Sequence, residues 1–264
     1  MLDKIFKLDM RRVWKEHKEL ISYGYKHSLI KDFFNNDYRK DSYKKWAEEP
    51  KIRAKKEDCD FSDNTPGNSL REIFIEKIYD FPDFIPKKGD VVIDVGGSYG
   101  DTVIWYAKKF GAKVIAFEPL KDVYEILLKN IELNKADVIA YNIVLGNGKN
   151  INGKRQGNML AIGNEEKFEI KTLDSFSIQK ADILKIDVEG FEYEVLEGAE
   201  ETNIKNKPKI ILEAHTYKLK EKCINYLNSL GYKLIIEGRV TKSDKFDHVE
   251  NLFFSFYGSN SLFL

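Results

Sequence analysis

Val91-Val92-Ile93-Asp94-Val95-Gly96-Gly97-Ser98-Tyr99-Gly100-Asp101-Thr102 is the stretch that decides the fold. β-Branched residues and one acid run into a glycine bend, and a helix-compatible stretch, Thr102 to Phe110, follows. The pattern predicts a buried strand, a tight reversal and a helix opening beside the bend. Glycine removes the Cβ that would block close approach and permits φ > 0, so the bend is expected to hold a nucleotide-type cofactor. A dinucleotide fingerprint needs G-x-G-x-x-G, whereas the glycines here stand at 96, 97 and 100. Asp94 lies two residues before the first of them. A carboxylate there has little use to a pyrophosphate and suits a ligand with an amino group and a sulfonium.

Outward from the bend, Lys113-Val114-Ile115-Ala116-Phe117 reads as a second strand tipped by Glu118-Pro119. An acid at that tip can accept from ribose hydroxyls, although dinucleotide domains place one similarly. Further strands are expected at 138–143, 183–186 and 210–213, with helices at 102–110, 123–133, 193–199 and 219–230. Strand–helix alternation implies parallel pairing with right-handed crossovers. Residues 232–237 and 252–257 then predict two strands without an intervening helix, hence an antiparallel pair. Residues 146–163, rich in Gly and Asn, read as a loop or short hairpin carrying Lys154-Arg155-Gln156, a basic run facing substrate or solvent.

These segments resemble the FkbM-type methyltransferases. The resemblance is carried by Ile93 to Thr102, Ala116-Phe117-Glu118-Pro119, Leu128-Lys129-Asn130-Ile131 with Asn134, and Thr172-Leu173-Asp174-Ser175-Phe176. It continues through Asp182 to Gly190, Glu192-Tyr193-Glu194-Val195-Leu196 with Gly198-Ala199, and Ile211-Leu212-Glu213-Ala214-His215. It implies an α/β, Rossmann-like class I methyltransferase fold, with a mostly parallel seven-stranded sheet and a C-terminal antiparallel hairpin. It also implies S-adenosylmethionine as cofactor and methyl transfer to a hydroxyl of a glycan, a lipid-linked sugar or a small metabolite. Gly97-Ser98 stands where the family more often has Ala-Asn. The expected cofactor contacts are Asp94, Gly96, Gly97, Ser98, Gly100, Thr102, Glu118, Pro119, Asn142 and Asp187. Asn142 reads either as an adenine-side contact or as a loop cap.

In open α/β sheets ligands lie beyond the carboxyl ends of the strands, which places Asp187 to Gly190 and Glu213 to His215 on the acceptor side. A hydroxyl must lose its proton as the new bond forms, and a general base there adds about 10²–10⁴-fold. His215 is the candidate base; its plainer role is a hydrogen bond at a strand end. Lys185, Asp187 and Glu189 alternate, so on an extended strand they share a face. A charge inside a central strand is costly unless paired, and Asp187 or Glu189 is the expected partner of Lys185. Such a pair is structural, or it orients Asp187 on the acceptor. Asp187, Glu189, Glu213 and His215 can also converge on a divalent cation such as Mg²⁺, though no ligand spacing is diagnostic of one.

The chain has 264 residues, with Lys+Arg and Asp+Glu equal at 43, so no net field steers a polyanion to it. A nucleic-acid partner is not expected. The two cysteines, Cys59 and Cys223, form neither a disulfide framework nor a metal spacing. With no secretory start and no span-length apolar run, that suggests a reduced, cytoplasmic protein. Cys59 is expected on the solvent side or in a loop, and Cys223 in a helix core. Residues 1–86 read as a helical extension or lid and 87–264 as the catalytic domain. Leu2, Ile5, Phe6, Met10, Val13 and Trp14 fall near helical spacing, and Tyr23, Tyr25, Phe33, Phe34, Tyr38, Tyr43 and Trp46 follow. Residues 48–67 read as an exposed connector, with Ser69 capping a helix over 70–79. Two rivals remain at this level: an oxidoreductase on a dinucleotide domain, and a non-catalytic binding module. Sequence does not fix the acceptor or the oligomeric state.

Overall fold

The computed structural model describes residues 48–149, 151–156, 159–162, 166–238 and 249–257, with backbone only between 151 and 168. The stripe at 2–14, the aromatics at 23–46 and the side chains of Lys154, Arg155 and Gln156 lie outside the described residues.

Seven strands form the main sheet: β1 Val91–Val95, β2 Lys113–Phe117, β3 Val138–Tyr141, β4 Ile183–Ile186, β5 Lys209–Ala214, β6 Tyr232–Glu237 and β7 Glu250–Phe256. Their order is β6-β7-β5-β4-β1-β2-β3. β3, β2, β1, β4 and β5 are parallel, while β7 runs antiparallel to both β5 and β6. Burial follows position. All four residues of central β4 are buried, whereas edge β3 has none fully buried. A parallel strand covered on both faces has to be apolar throughout, which makes any charge on it conspicuous.

Helices connect the parallel strands: α1 Asp101–Phe110, α2 Lys121–Asn134, α3 Glu192–Glu197, α4 Glu200–Asn206 and α5 Tyr217–Ser229. Thr216 caps α5 by accepting from the Leu219 amide at 3.1 Å. The single helix expected over 193–199 is instead two. The Asp174 carboxylate starts the second by accepting from the amides of Glu201 at 3.0 Å and Thr202 at 2.8 Å. The third strand stops at Tyr141 rather than 143, and Val144–Leu145 pairs with Ile170–Lys171. Ile151–Gln156 pairs antiparallel with Met159–Ile162 and with Glu166–Phe168, so the region expected as a loop or hairpin is a three-stranded ribbon.

The chain groups into two compact units, Met1–Glu49 and Pro50–Leu264. The expected exposed connector is not one. Residues 50–56 are helical, and Ala54 and Cys59 sit with Leu70, Phe74 and Phe84 in one core with Val103, Trp105 and Val114. Cys59 lies in the loop after that helix, as one of its two expected places, but is buried rather than solvent-facing. Asn130 and Asn134 on α2 bind this segment. Asn130 Oδ1 accepts from the Ser62 amide at 2.9 Å, and its Nδ2 donates to the carbonyl of Tyr99 at 2.8 Å. Asn134 Oδ1 accepts from the Asp60 amide at 2.8 Å. The helix expected over 70–79 is one α turn, Gly67–Arg71, continuing as a π-helix, Glu72–Glu76, that ends at Lys77 with φ 56°. Ser69 does not cap it; its hydroxyl donates to the Pro66 carbonyl at 2.9 Å, inside the first turn. Phe81 and Phe84 then close edge-on upon Phe253 of β7, at 4.5 and 5.1 Å between ring centres. Among the described residues no helix is long and apolar enough to cross a membrane.

Candidate active site

Parallel pairing of β1 with β4 sets Asp94 directly opposite Lys185. Lys185 Nζ lies 3.1 Å from Asp94 Oδ1 and 3.7 Å from Asp187 Oδ2, and the Thr102 hydroxyl donates to the other Asp94 oxygen. Burial alone would strip Lys185 of its proton, but the charges of Asp94, Asp187 and Asp101 outweigh it and hold the ammonium. Burial raises Asp94 in spite of Lys185 and Thr102. The expected partner of Lys185 was Asp187 or Glu189. The nearer one comes from the adjacent strand, since register across strands is invisible until the sheet order is known.

The bend itself is packed against its neighbours. Gly96 has φ +89°, and a Cβ there would stand 1.8 Å from the Asp187 carbonyl oxygen. Gly100, also at φ +89°, would place one 2.7 Å from Leu127 Cδ1. Both glycines thus let β1, β4 and α2 approach each other, a use beyond the ligand access expected of them. At the tip of β2, Glu118 Oε2 accepts from the Ser98 amide at 3.0 Å and Oε1 from the Leu120 amide at 2.8 Å. Burial pushes Glu118 up to about 7 despite these bonds. A carboxylate oxygen has two lone-pair sites, so one remains on each oxygen for a ligand hydroxyl. Burial likewise raises Asp101, at the start of α1, to about 7. Gly96, Ser98, Asp101, Pro119 and Asp187 keep part of their surface open, whereas Asp94, Gly97, Gly100 and Thr102 are buried.

His215 follows β5 and is 3% exposed. Its Nδ1 meets Glu192 Oε1 at 2.8 Å, and its Nε2 lies 3.3 Å from Glu189 Oε2, 3.8 Å from Asp187 Oδ1 and 4.0 Å from Glu213 Oε1. Burial works against the charged ring, but the bond to Glu192 and the charges of Glu192, Asp187 and Glu213 outweigh it and push His215 up to about 10. Glu213 is raised well above the usual carboxylate range by burial first and by Asp187 second. One ligand atom each from Asp187, Glu213 and His215 lies within 4.8 Å of the others.

A sequence profile of the FkbM methyltransferase domain matches residues 94–253. The chain belongs to the FkbM methyltransferase family. Among curated relatives, Methyltransferase 1 of Beauveria bassiana (strain ARSEF 2860) is 25% identical over 169 residues, 50% of this chain and 66% of that protein. Methyltransferase sdnD of Sordaria araneosa is 23% identical over 189 residues, 54% of this chain and 72% of that one. Among solved structures, methyltransferase FkbM from Methylobacillus flagellatus KT shares 16% identity over 84% of this chain and 60% of its own, with a TM-score of 0.47.

Within this FkbM domain the structure gathers Lys185, Asp187, Glu189 and His215, and joins them to Asp94 and Thr102 through Lys185. Asn142 stands apart, exposed, with its amide donating to the carbonyls of Glu118 at 2.8 Å and Pro119 at 2.9 Å. That is the loop-capping geometry. Glu192 was not foreseen, because an acid in the first turn of a helix ordinarily reads as a partner of the helix dipole. Its carboxylate is fully buried and also accepts from the Gly190 amide at 2.8 Å. Tyr79, whose hydroxyl donates to Glu213 Oε2 at 3.3 Å, comes from the segment before the FkbM domain, and no motif pointed to it. Asp101 carried a signal, an acid directly after a glycine bend.

Proposed function

We propose that the chain is an S-adenosylmethionine-dependent O-methyltransferase acting on a hydroxyl of a glycan, a lipid-linked sugar or a small metabolite. The observation that carries this is the excess of carboxylate over ammonium at the bend. Asp94, Asp101 and Asp187 surround the Lys185 ammonium, and Glu118 closes the neighbouring tip. Such a set leaves negative charge for a ligand that brings an ammonium and a sulfonium, and it disfavours a pyrophosphate. S-adenosylmethionine therefore fits the residues present. Glu118 would hold it through ribose hydroxyls, with Ser98 and Gly96 lining the bend and Asp101 and Asp187 facing its positive charge. When bound it supplies an electrophilic methyl group whose bonding pair stays on sulfur.

The chain's own residues then position the acceptor and take its proton. Alignment of acceptor and methyl carbon contributes on the order of 7–11 kcal/mol at best. His215, ringed by carboxylates, already holds a proton at neutral pH and so acts there as a donor that orients the acceptor. The base is then a carboxylate. Glu189, 3.3 Å from Nε2 and with 37% of its side chain exposed, is the one an acceptor reaches.

Calorimetry with S-adenosylhomocysteine and with NADH tests the cofactor assignment. Binding of the first and not the second is expected, and Asp94→Ala should abolish it by removing the partner of Lys185 and Thr102. NADH binding without S-adenosylhomocysteine binding would transfer the chain to the oxidoreductase reading. Incubation with labelled methyl donor and fractionated glycans, lipids and metabolites then finds the acceptor.

A further inference from the structure

Glu192 holds two groups with one atom. Its Oε1 accepts from the Gly190 amide at 2.8 Å and meets His215 Nδ1 at 2.8 Å. A carboxylate oxygen has about two lone-pair sites, so that oxygen is fully used. The side chain is fully buried, and its Oε2 has no hydrogen-bond partner among the described residues. The two groups it holds belong to different elements: Gly190 lies in the turn after β4, and His215 follows β5. Glu189 and Gly190 in that turn have φ 58° and 107°, and a non-glycine residue in the left-handed region is uncommon. Such conformations persist where the surroundings over-determine them, and they gather at functional sites. A Cβ on Gly190 would meet nothing within 4 Å, so packing does not explain the shape of the turn. What the turn presents is Glu189, whose Oε2 lies 3.3 Å from His215 Nε2. Glu192 thus grips one nitrogen of the ring and the backbone beside Glu189, while the other nitrogen meets Glu189 itself.

We infer that Glu192 is a positioning residue of the acceptor side, fixing His215 and the Glu189 turn as one unit through a single buried oxygen. Its purpose rests on the methyl-transfer reading, though its geometry does not. A carboxylate only accepts, so the bond to Glu192 keeps a proton on Nδ1 whether the ring is neutral or charged. Nε2 is then the nitrogen turned to Glu189, with Asp187 Oδ1 at 3.8 Å and Glu213 Oε1 at 4.0 Å. The buried acid of a Ser-His-Asp triad acts alike: it sets the tautomer and orientation of its histidine and stabilises the imidazolium. The charged groups facing the ring are Glu192 from α3, Asp187 and Glu189 from beyond β4, and Glu213 from β5. Burial opposes the charged ring, and among the acids that outweigh it Glu192 contributes most. The same atom keeps Glu189 beside the donor, so an acceptor hydroxyl meets base and donor already in place.

Nuclear magnetic resonance of the full chain labelled with ¹⁵N-histidine tests this, the His215 ring signals being those lost in His215→Gln. In the wild type the ring should carry its Nδ1 proton and stay charged between about pH 6 and 8, where an ordinary histidine becomes neutral. Glu192→Gln keeps the shape and removes the charge, so the ring's proton affinity should fall at least about tenfold. Glu192→Asp keeps the charge at shorter reach and should restore part of that loss. Glu221→Gln, on the exposed side of α5, should leave the ring unchanged. Methyl transfer to whichever cell fraction the wild type labels should fall at least about tenfold in Glu192→Gln, with S-adenosylhomocysteine affinity kept within about twofold. A wild-type ring that is neutral at pH 7 overturns the inference without any variant of Glu192 having to fold. So does a ring that titrates alike in wild type and Glu192→Gln, which is what a purely structural Glu192 would give, or an unchanged transfer rate. A wild-type chain that does not bind S-adenosylhomocysteine sinks the methyl-donor assignment alone, since the ring signals still decide for or against Glu192.

Discussion

Lys185 and Asp94 are register partners on adjacent parallel strands, and their charged atoms meet at 3.1 Å with side chains 3% and 0% exposed. Removing one partner of a buried pair costs about 3–5 kcal/mol, because the other charge is left without compensation. Lys185→Met should lower unfolding stability by that amount in urea titration, and Lys185→Met with Asp94→Leu should recover part of it. A single-variant loss below about 1 kcal/mol would mean that Asp187 and Thr102 suffice without the cross-strand contact.

Two glycines close to the site should respond differently to the same substitution. Gly96→Ala adds a methyl 1.8 Å from the Asp187 carbonyl oxygen, at φ +89°, so β1 and β4 must part or the chain will not fold. Gly190, at φ +107°, has nothing within 4 Å of a new Cβ. Gly190→Ala should therefore cost only backbone strain, about 1–3 kcal/mol. Parallel thermal melts check this, and equal losses at both positions would contradict the packing described.

Glu118 gives stability a pH dependence whose sign follows from its raised pKa. The folded chain keeps the Glu118 proton up to about 7, while the unfolded chain releases it near the usual 4.5. The folded state binds more protons in that window, so the contribution is fully present below 4.5 and lost as pH rises through 7. The loss is on the order of 3 kcal/mol. Glu118→Gln cannot titrate, and its urea stability should fall less between pH 4.5 and 8 by about that amount. Curves of identical slope would show that the carboxylate is not desolvated in solution.

Both thiols should be inert in the folded chain. Burial, then the charge of Glu57, pushes Cys59 up to about 12, and burial raises Cys223 as well. A thiolate is the reactive form. A disulfide reagent at pH 8 should label neither cysteine natively and both in concentrated urea. Rapid native labelling of Cys59 would mean that segment 50–86 opens readily.

The sheet was legible because its strands are apolar runs of the right length, and the late pair without a helix announced the antiparallel edge. The break between α3 and α4 was not legible. It depends on Asp174 reaching two amides from a distant loop. At the strand tips, sequence reasoning placed Lys185, Asp187, Glu189 and His215 near one another, since those tips converge in any open α/β sheet, and the structure brings them together. It could not find Glu192 or Tyr79, which reach the cluster through a helix start and a preceding segment. Asn130 and Asn134 belonged to the family resemblance, yet their work is to fasten residues 60–65 and the Tyr99 carbonyl to α2.

The edge-on closure of Phe81 and Phe84 upon Phe253 orders events at the ribosome. Those two rings leave the ribosome well before the strand that receives them. Until it does, they remain uncovered and sticky, and β5 lacks its antiparallel neighbour. Nascent chains stalled before β7 should thus be the species most in need of a chaperone.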